Sequence, residues 1–355
     1  MSGTTLTGPR LRTVLSALVS IALVVGVFWF FLPQFTSISA VWASIRAMTW
    51  IEVATLILAA AWNLVTYLLV NLATMPGLTT RQAAVATEAS TAVSNTVPGG
   101  GAIGIGLNYA MFSSWGFSRS RTSVSLLVSG VWNNFAKLAL PVLALALLAL
   151  RGSPSGGRVA AGLIGVGALV AAVVVLWLLM RSERSAVQVG VVAGRAASAL
   201  RRMIGRGPVH GWELATAKFR TRTIALLRAR WHWITAVTIV SHLSLFFVLL
   251  LALRHVGVSE ADAGWIEVLA VFAFARLLTA IPITPGGLGV VEVALITGLV
   301  AAGGERPLVA AAVLVFRALT YVLPIPLGLL AYLFWRRNRS WRREPGSAPH
   351  TSLVV

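Results

Sequence analysis

Long apolar stretches separated by short basic ones set the pattern of this chain. Residues 14–32, 51–70, 122–150, 159–180, 231–253 and 308–335 are apolar. At about 1.5 Å per residue each is long enough to cross roughly 30 Å of hydrocarbon, which predicts about six spanning helices. Two further apolar segments, residues 81–115 and 266–302, are interrupted midway. In NTVPGGGAIGIG, residues 95–106, the break is Pro98, Gly99, Gly100 and Gly101; in ITPGGLGVVE, residues 283–292, it is Pro285, Gly286, Gly287 and Gly289. Proline removes a backbone donor and glycine favours non-helical angles, so a helix entering at Trp265 stops near Ile283 and a new one starts near Val290. The first segment splits into arms of about 16 and 13 residues, reaching only roughly 20–25 Å each, which fits a re-entrant hairpin better than a crossing. Irregular backbone at membrane depth is tolerated where protein buries it or where it lines a wet cavity, so two such breaks in two halves point to a binding site between them.

The remaining stretches fill in the topology. Residues 35–50, with Trp42, Arg46 and Trp50, read as a short interfacial helix. Residues 14–32 are expected to stay as an anchor, because Pro33, Gln34 and Phe35 supply no small-residue cleavage site. The span over 122–150 is expected to kink at Pro141. Residues 181–230 carry eleven Arg or Lys against Glu183 and Glu213, a composition that predicts surface-lying amphipathic helices. The tail, 336–355, holds Arg336, Arg337, Arg339, Arg342 and Arg343 and reads as disordered.

If both interrupted segments return to the side they entered, 21 of the 29 Lys and Arg residues lie in the cytoplasm, five outside and three in the membrane. That satisfies the positive-inside rule, puts both termini in the cytoplasm and makes the halves inverted repeats. The spans that follow the breaks support this by aligning as WNNFAKLALP (132–141) against VFRALTYVLP (315–324). The expected fold is thus an all-α polytopic membrane protein: a cytoplasmic N-terminus (1–11), one transmembrane domain (12–335) and a basic tail.

Composition narrows the function. The chain is 57% hydrophobic and 11% charged, against about 25% charged in a soluble domain. Its net charge of +19 flanks apolar segments instead of decorating a soluble fold, so anionic lipid and membrane topology explain it better than nucleic acid. There is no cysteine and the five histidines lack ligand spacing, so neither a disulfide nor a metal site is expected, and no cofactor motif stands out. The glycines of GGGAIGIG lack the preceding strand that a dinucleotide site requires.

Five ionisable residues fall inside apolar segments: Glu88, Lys137, Arg276, Glu292 and Arg317. A central Arg or Lys costs about 2.5–3.5 kcal/mol on insertion scales, so each needs a partner, a cavity or an interior to face. One reading is structural, with Glu88 pairing a basic residue and Arg276 pairing Glu292. The other is functional: helices restarting near Ile103 and Val290 aim their positive dipole ends at the midplane, and Arg276 and Arg317 add guanidinium forks suited to phosphate. Glu88 and Glu292 then meet an amine or carry protons. Asn133, Asn134 and His242 read mainly as helix-packing polar residues.

ITPGGLGVVE, followed some 25 residues on by FRALTYVLP, resembles the transmembrane-region family of lysylphosphatidylglycerol synthases, also called flippase-like integral membrane proteins. The resemblance covers about residues 12–335, with Pro98, Pro285, Gly286, Gly287, Gly289, Glu292 and Arg317 on the family pattern. It departs at Asn133 and Asn134, where many members carry an arginine, and the soluble aminoacyl-transferase domain of the larger enzymes does not follow before Val355. What the resemblance implies is movement or binding of a polar lipid in a bacterial inner membrane, without synthase activity. The expected function is a non-enzymatic translocator for a phospholipid or polyprenyl-phosphate head group. The alternatives are a scaffold recruiting a cytoplasmic or membrane enzyme, such as a glycosyltransferase, and an intramembrane lipid transferase.

Overall fold

The computed structural model describes residues 38–97, 99–152, 156–181, 212–279, 284–344 and 347. The expected N-terminal anchor, most of the basic loop and Pro98 lie outside the described residues. Every regular element described is helical.

Helix α1 (Ile38–Arg46) is followed by α2 (Trp50–Thr74) and α3 (Thr80–Thr96), and each of the latter two opens on a capping box. Thr49 accepts from the Glu52 amide while Glu52 reaches back to the Thr49 amide; Thr79 and Gln82 repeat the arrangement. Next come α4 (Gly100–Ser114), α5 (Arg119–Arg151), α6 (Gly156–Arg181), α7 (Trp212–His255) and α8 (Trp265–Leu278). A single 3₁₀ turn (Pro285–Gly287) leads to α9 (Val290–Ala301) and α10 (Arg306–Arg317). A π-helical turn (Ala318–Val322) then joins α10 to α11 (Pro324–Arg337). The widening is local to a proline: Pro324 has no N–H to donate, and the Leu323 amide reaches back to the Ala318 carbonyl at 2.9 Å.

Among the described residues four helices are long and apolar enough to cross a membrane: Trp50–Thr74, Arg119–Arg151, Phe219–His255 and Arg306–Arg337. They correspond to four of the six expected spans. The expected span at 159–180 falls within α6, where Gly162–Leu178 is a shorter apolar helix. Helix α5 runs on through Pro141.

Two expectations are corrected. Residues 212–230 are not a separate surface helix but the first half of α7, which meets neither glycine nor proline before His255. Leu226 there is buried against Val124 and Val128 of α5. The start of the tail is ordered, because it carries aromatic area that a charge count overlooks. Trp341 packs edge-on against Trp115 and Phe334, and the Arg343 amide donates to the Ser114 carbonyl at 3.0 Å.

Packing is reciprocal between the halves. The first arm of the first hairpin, α3, lies along α11, while the first arm of the second, α8, lies along α5. The α3–α11 contact is backbone to backbone at Gly328, where a Cβ would sit 2.1 Å from the Glu88 carbonyl oxygen. The largest core cluster joins α2, α5 and α7 to α8, α9 and α10. At the loop between α7 and α8, donation from the Ser259 hydroxyl and amide holds the Asp262 carboxyl below the usual carboxylate range, and Arg254 pairs with Glu260.

Candidate functional site

The first break is built by glycine. Gly99 turns the chain at φ 68°, and α4 starts at Gly100 rather than near Ile103. A Cβ at Gly100 would meet the Val93 carbonyl oxygen at 2.4 Å and Ser94 Cα at 2.8 Å, so only glycine lets α4 double back against the last turn of α3. One turn on, Gly104 admits the Ser94 hydroxyl and the Ser90 carbonyl in the same way.

The second break follows α8, which ends at Leu278; residues 280–283 lie outside the described residues. Gly286, Gly287 and Gly289 all have positive φ, and α9 starts at Val290 as expected. Here a carboxylate does the capping. Glu292 accepts the Gly289 amide at 2.8 Å with one oxygen and the Arg317 Nε at 2.6 Å with the other. Arg317 also donates to the Gly286 carbonyl at 3.4 Å, and its guanidinium lies 4.2 Å from the centre of the Tyr321 ring. Glu292 and Arg317 are 8% and 7% exposed, so this is a buried, geometrically complete ion pair. The structural pairing expected between Arg276 and Glu292 is therefore corrected: Arg317 takes that carboxylate, because it comes from the neighbouring α10 with its Nε aligned on it.

The two breaks meet. The Tyr321 hydroxyl donates to the Asn95 carbonyl at 2.5 Å, with the Pro285 carbonyl 3.2 Å away, and the Asn95 amide returns a bond to the Tyr321 carbonyl at 3.0 Å. Gly286 is where the tyrosine ring fits, since a Cβ there would lie 2.4 Å from Cε2. One tyrosine thus ties the end of α3 to the start of the second break.

Beside this junction lies a cavity of about 440 Å³, within the size range of small-ligand sites. Of the expected site residues, Gly99, Gly100, Gly101, Lys137, Arg276, Pro285, Gly286, Gly287 and Arg317 line it. Glu88, Glu292 and Gly289 do not line it, and Pro98 falls outside the described residues. Glu88 does not find the basic partner expected of it: its Oε2 is buried without a hydrogen-bond partner among the described residues. The sequence reading missed Thr91, Ser94, Asn95, Thr279, Thr320 and Tyr321, which also line the cavity. The signal available for Ser94 and Asn95 was their position immediately before a proline–glycine break, and for Tyr321 its place inside FRALTYVLP.

Two cations face this space without a counter-ion. Lys137, 8% exposed, and Arg276 have no carboxylate within ion-pair distance among the described residues, and the Arg276 Nε is buried with no acceptor. Asp and Glu are absent from the described lining. Asn133, by contrast, is used between helices, with its Oδ1 3.0 Å from His242 Nε2 of α7, and Asn134 donates to the Gly130 carbonyl within α5.

The wall of the cavity has a second face. Phe316, Arg317, Thr320 and Tyr321 line the cavity, while Leu314, Val315, Ala318, Leu319 and Val322 line an apolar groove of about 510 Å³ with Trp42, Met48 and Leu56. Among the described residues no group of His, Asp or Glu is placed to hold a metal.

The family model for the lysylphosphatidylglycerol synthase transmembrane region matches residues 17–328. The chain belongs to this family. As a member of it, the protein is a multi-pass membrane protein of lipid-related processes. No curated protein matches the sequence. Within this family member, the motifs that carried the resemblance supply, over residues 284–292 and 316–324, the second break, the Glu292–Arg317 pair and Tyr321.

Proposed function

We propose that the protein is a non-enzymatic lipid translocator, with a phosphate-bearing head group bound in the cavity between the two breaks while the acyl or prenyl tails stay in the surrounding lipid. The observation that carries this reading is the pair of cations, Lys137 and Arg276, facing the cavity without a carboxylate partner among the described residues, at the point where both helices give way. Holding a buried charge without a partner costs several kcal/mol, and a ligand anion offsets that cost. Arg317, expected to grip phosphate directly, serves instead to fix the second break through Glu292 while presenting part of its guanidinium to the cavity. The reciprocal packing of α3 on α11 and of α8 on α5 supports reading the halves as inverted repeats, and the distribution of Lys and Arg between the apolar segments supports cytoplasmic termini. The apolar groove behind the 314–322 wall suits the tail of a lipid whose head lies in the cavity.

Reconstitution tests this. In vesicles bearing fluorescent lipids quenchable from outside, the protein accelerates the loss of inner-leaflet signal, and Arg276→Met abolishes the acceleration while remaining monodisperse. Absence of acceleration with every anionic, zwitterionic and polyprenyl lipid contradicts the proposal. A scaffold is indicated if Arg276→Met leaves the cellular phenotype intact while deletion of residues 182–211 removes it.

A further inference from the structure

The charge balance of the cavity, taken on the reading that it binds a lipid phosphate, specifies which phosphate. Three cationic side chains line it, Lys137, Arg276 and Arg317, and no carboxylate does so among the described residues. The Arg317 charge is already balanced by Glu292 at 2.6 Å. What remains is a formal charge of two, carried by Lys137 from α5 and Arg276 from α8, one from each half of the molecule. The neutral polar side chains around them, Thr91, Ser94, Thr279 and Thr320, carry hydroxyls and no further charge, and those of Ser94, Thr279 and Thr320 donate to backbone carbonyls.

We infer that the cavity selects a dianionic head group, a phosphomonoester or diphosphate, and that Lys137 determines this specificity. A dianion balances both cations in a single binding event. A phosphodiester monoanion leaves one cation uncompensated, and a zwitterionic head brings an ammonium into a space where no carboxylate meets it, next to two like charges. Lys137 sets the step between one charge and two because Arg276 alone, with its forked donors, suffices for a monoanionic phosphate. The selection turns on a lysine that stands in the register of Thr320 when residues 132–141 are aligned with 315–324, so only the first half supplies a cation at this level.

The test compares three labelled lipids in proteoliposomes at an alkaline pH above the second ionisation of the phosphomonoester: phosphatidic acid as dianion, phosphatidylglycerol as monoanion and phosphatidylcholine as zwitterion. The expected result is faster movement of phosphatidic acid than of the other two. Lys137→Met narrows the ratio of phosphatidic acid to phosphatidylglycerol about tenfold, the least that loss of one charge-assisted contact produces, and Lys137→Arg restores it. Equal movement of all three lipids, or a ratio untouched by Lys137→Met in a monodisperse sample, overturns the inference and leaves the translocator reading standing. No movement of any lipid overturns both. Inorganic phosphate and pyrophosphate are added in a separate arm. Failure of either to inhibit at millimolar concentration supports a lipid-borne dianion, whereas full inhibition by them, with no inhibition by short-chain phosphatidic acid, assigns the site to the free anion and overturns the lipid assignment.

Discussion

The two breaks solve one geometric problem by different chemistry. At the first, glycines do the work: Gly100 and Gly104 allow α4 to lie against α3 at distances no other residue permits, and among the described residues no charged side chain takes part. At the second, the turn is held by electrostatics, with Glu292 receiving the Gly289 amide and the Arg317 guanidinium together. The difference explains where the spare charge is. In the span after the second break the cation, Arg317, is committed to structure. In the span after the first break the cation, Lys137, sits one turn further along, where no carboxylate reaches it among the described residues, and it faces the cavity. On the proposed reading, the span arginine of the second half is kept for closure, and the binding charge comes from Lys137 of the first half and Arg276 of the second.

Substitutions can separate the two designs. Arg317→Ala has the largest expected effect, about 3–5 kcal/mol of destabilisation, because it leaves the Glu292 carboxylate buried and alone. Adding Glu292→Gln to it recovers part of the loss, and thermal unfolding in detergent measures both. If Arg317→Ala unfolds no more readily than the parent, the second break is not held by charge. At the first break Gly100→Ala is expected to cost about 1–3 kcal/mol, since its Cβ meets backbone that must move. The neighbouring Gly101→Ala, with nothing within 4 Å of its Cβ, leaves stability unchanged or slightly raised. Equal effects at the two glycines would remove the close-approach argument. Tyr321→Phe, which cuts the bond between the breaks and leaves the Asn95 carbonyl without that donor, is expected to cost about 1–2 kcal/mol. Its unfolding midpoint, compared with that of Asn95→Ala and of the double variant, reports whether the two residues act as one unit.

The legible part of this structure was set by solvent: apolar length marks where a helix crosses, and proline with glycine marks where it breaks. Residues 51–70, 122–150 and 308–335 fell inside helices that the structure contains because a bilayer-length apolar run admits little else. The less legible part is direction across the chain. Sequence places Arg276, Glu292 and Arg317 in the membrane, but which cation meets the carboxylate depends on the azimuth of α8 against α10, a tertiary quantity with no periodic signature. The bond between Asn95 and Tyr321, 226 positions apart, is invisible for the same reason. The tail was misread because its arginines dominated a composition in which Trp341 carries the packing.

The central claim is that both breaks border one water-accessible cavity holding two cations, and the absence of cysteine makes it directly measurable. Ser94→Cys and Thr320→Cys, one from each half, are to be treated with a membrane-impermeant anionic thiol reagent, with Ala312→Cys, fully buried, as control. The account predicts labelling at positions 94 and 320, protection of both by phosphatidic acid and no labelling at 312. Positions 94 and 320 as unreactive as 312 would contradict it.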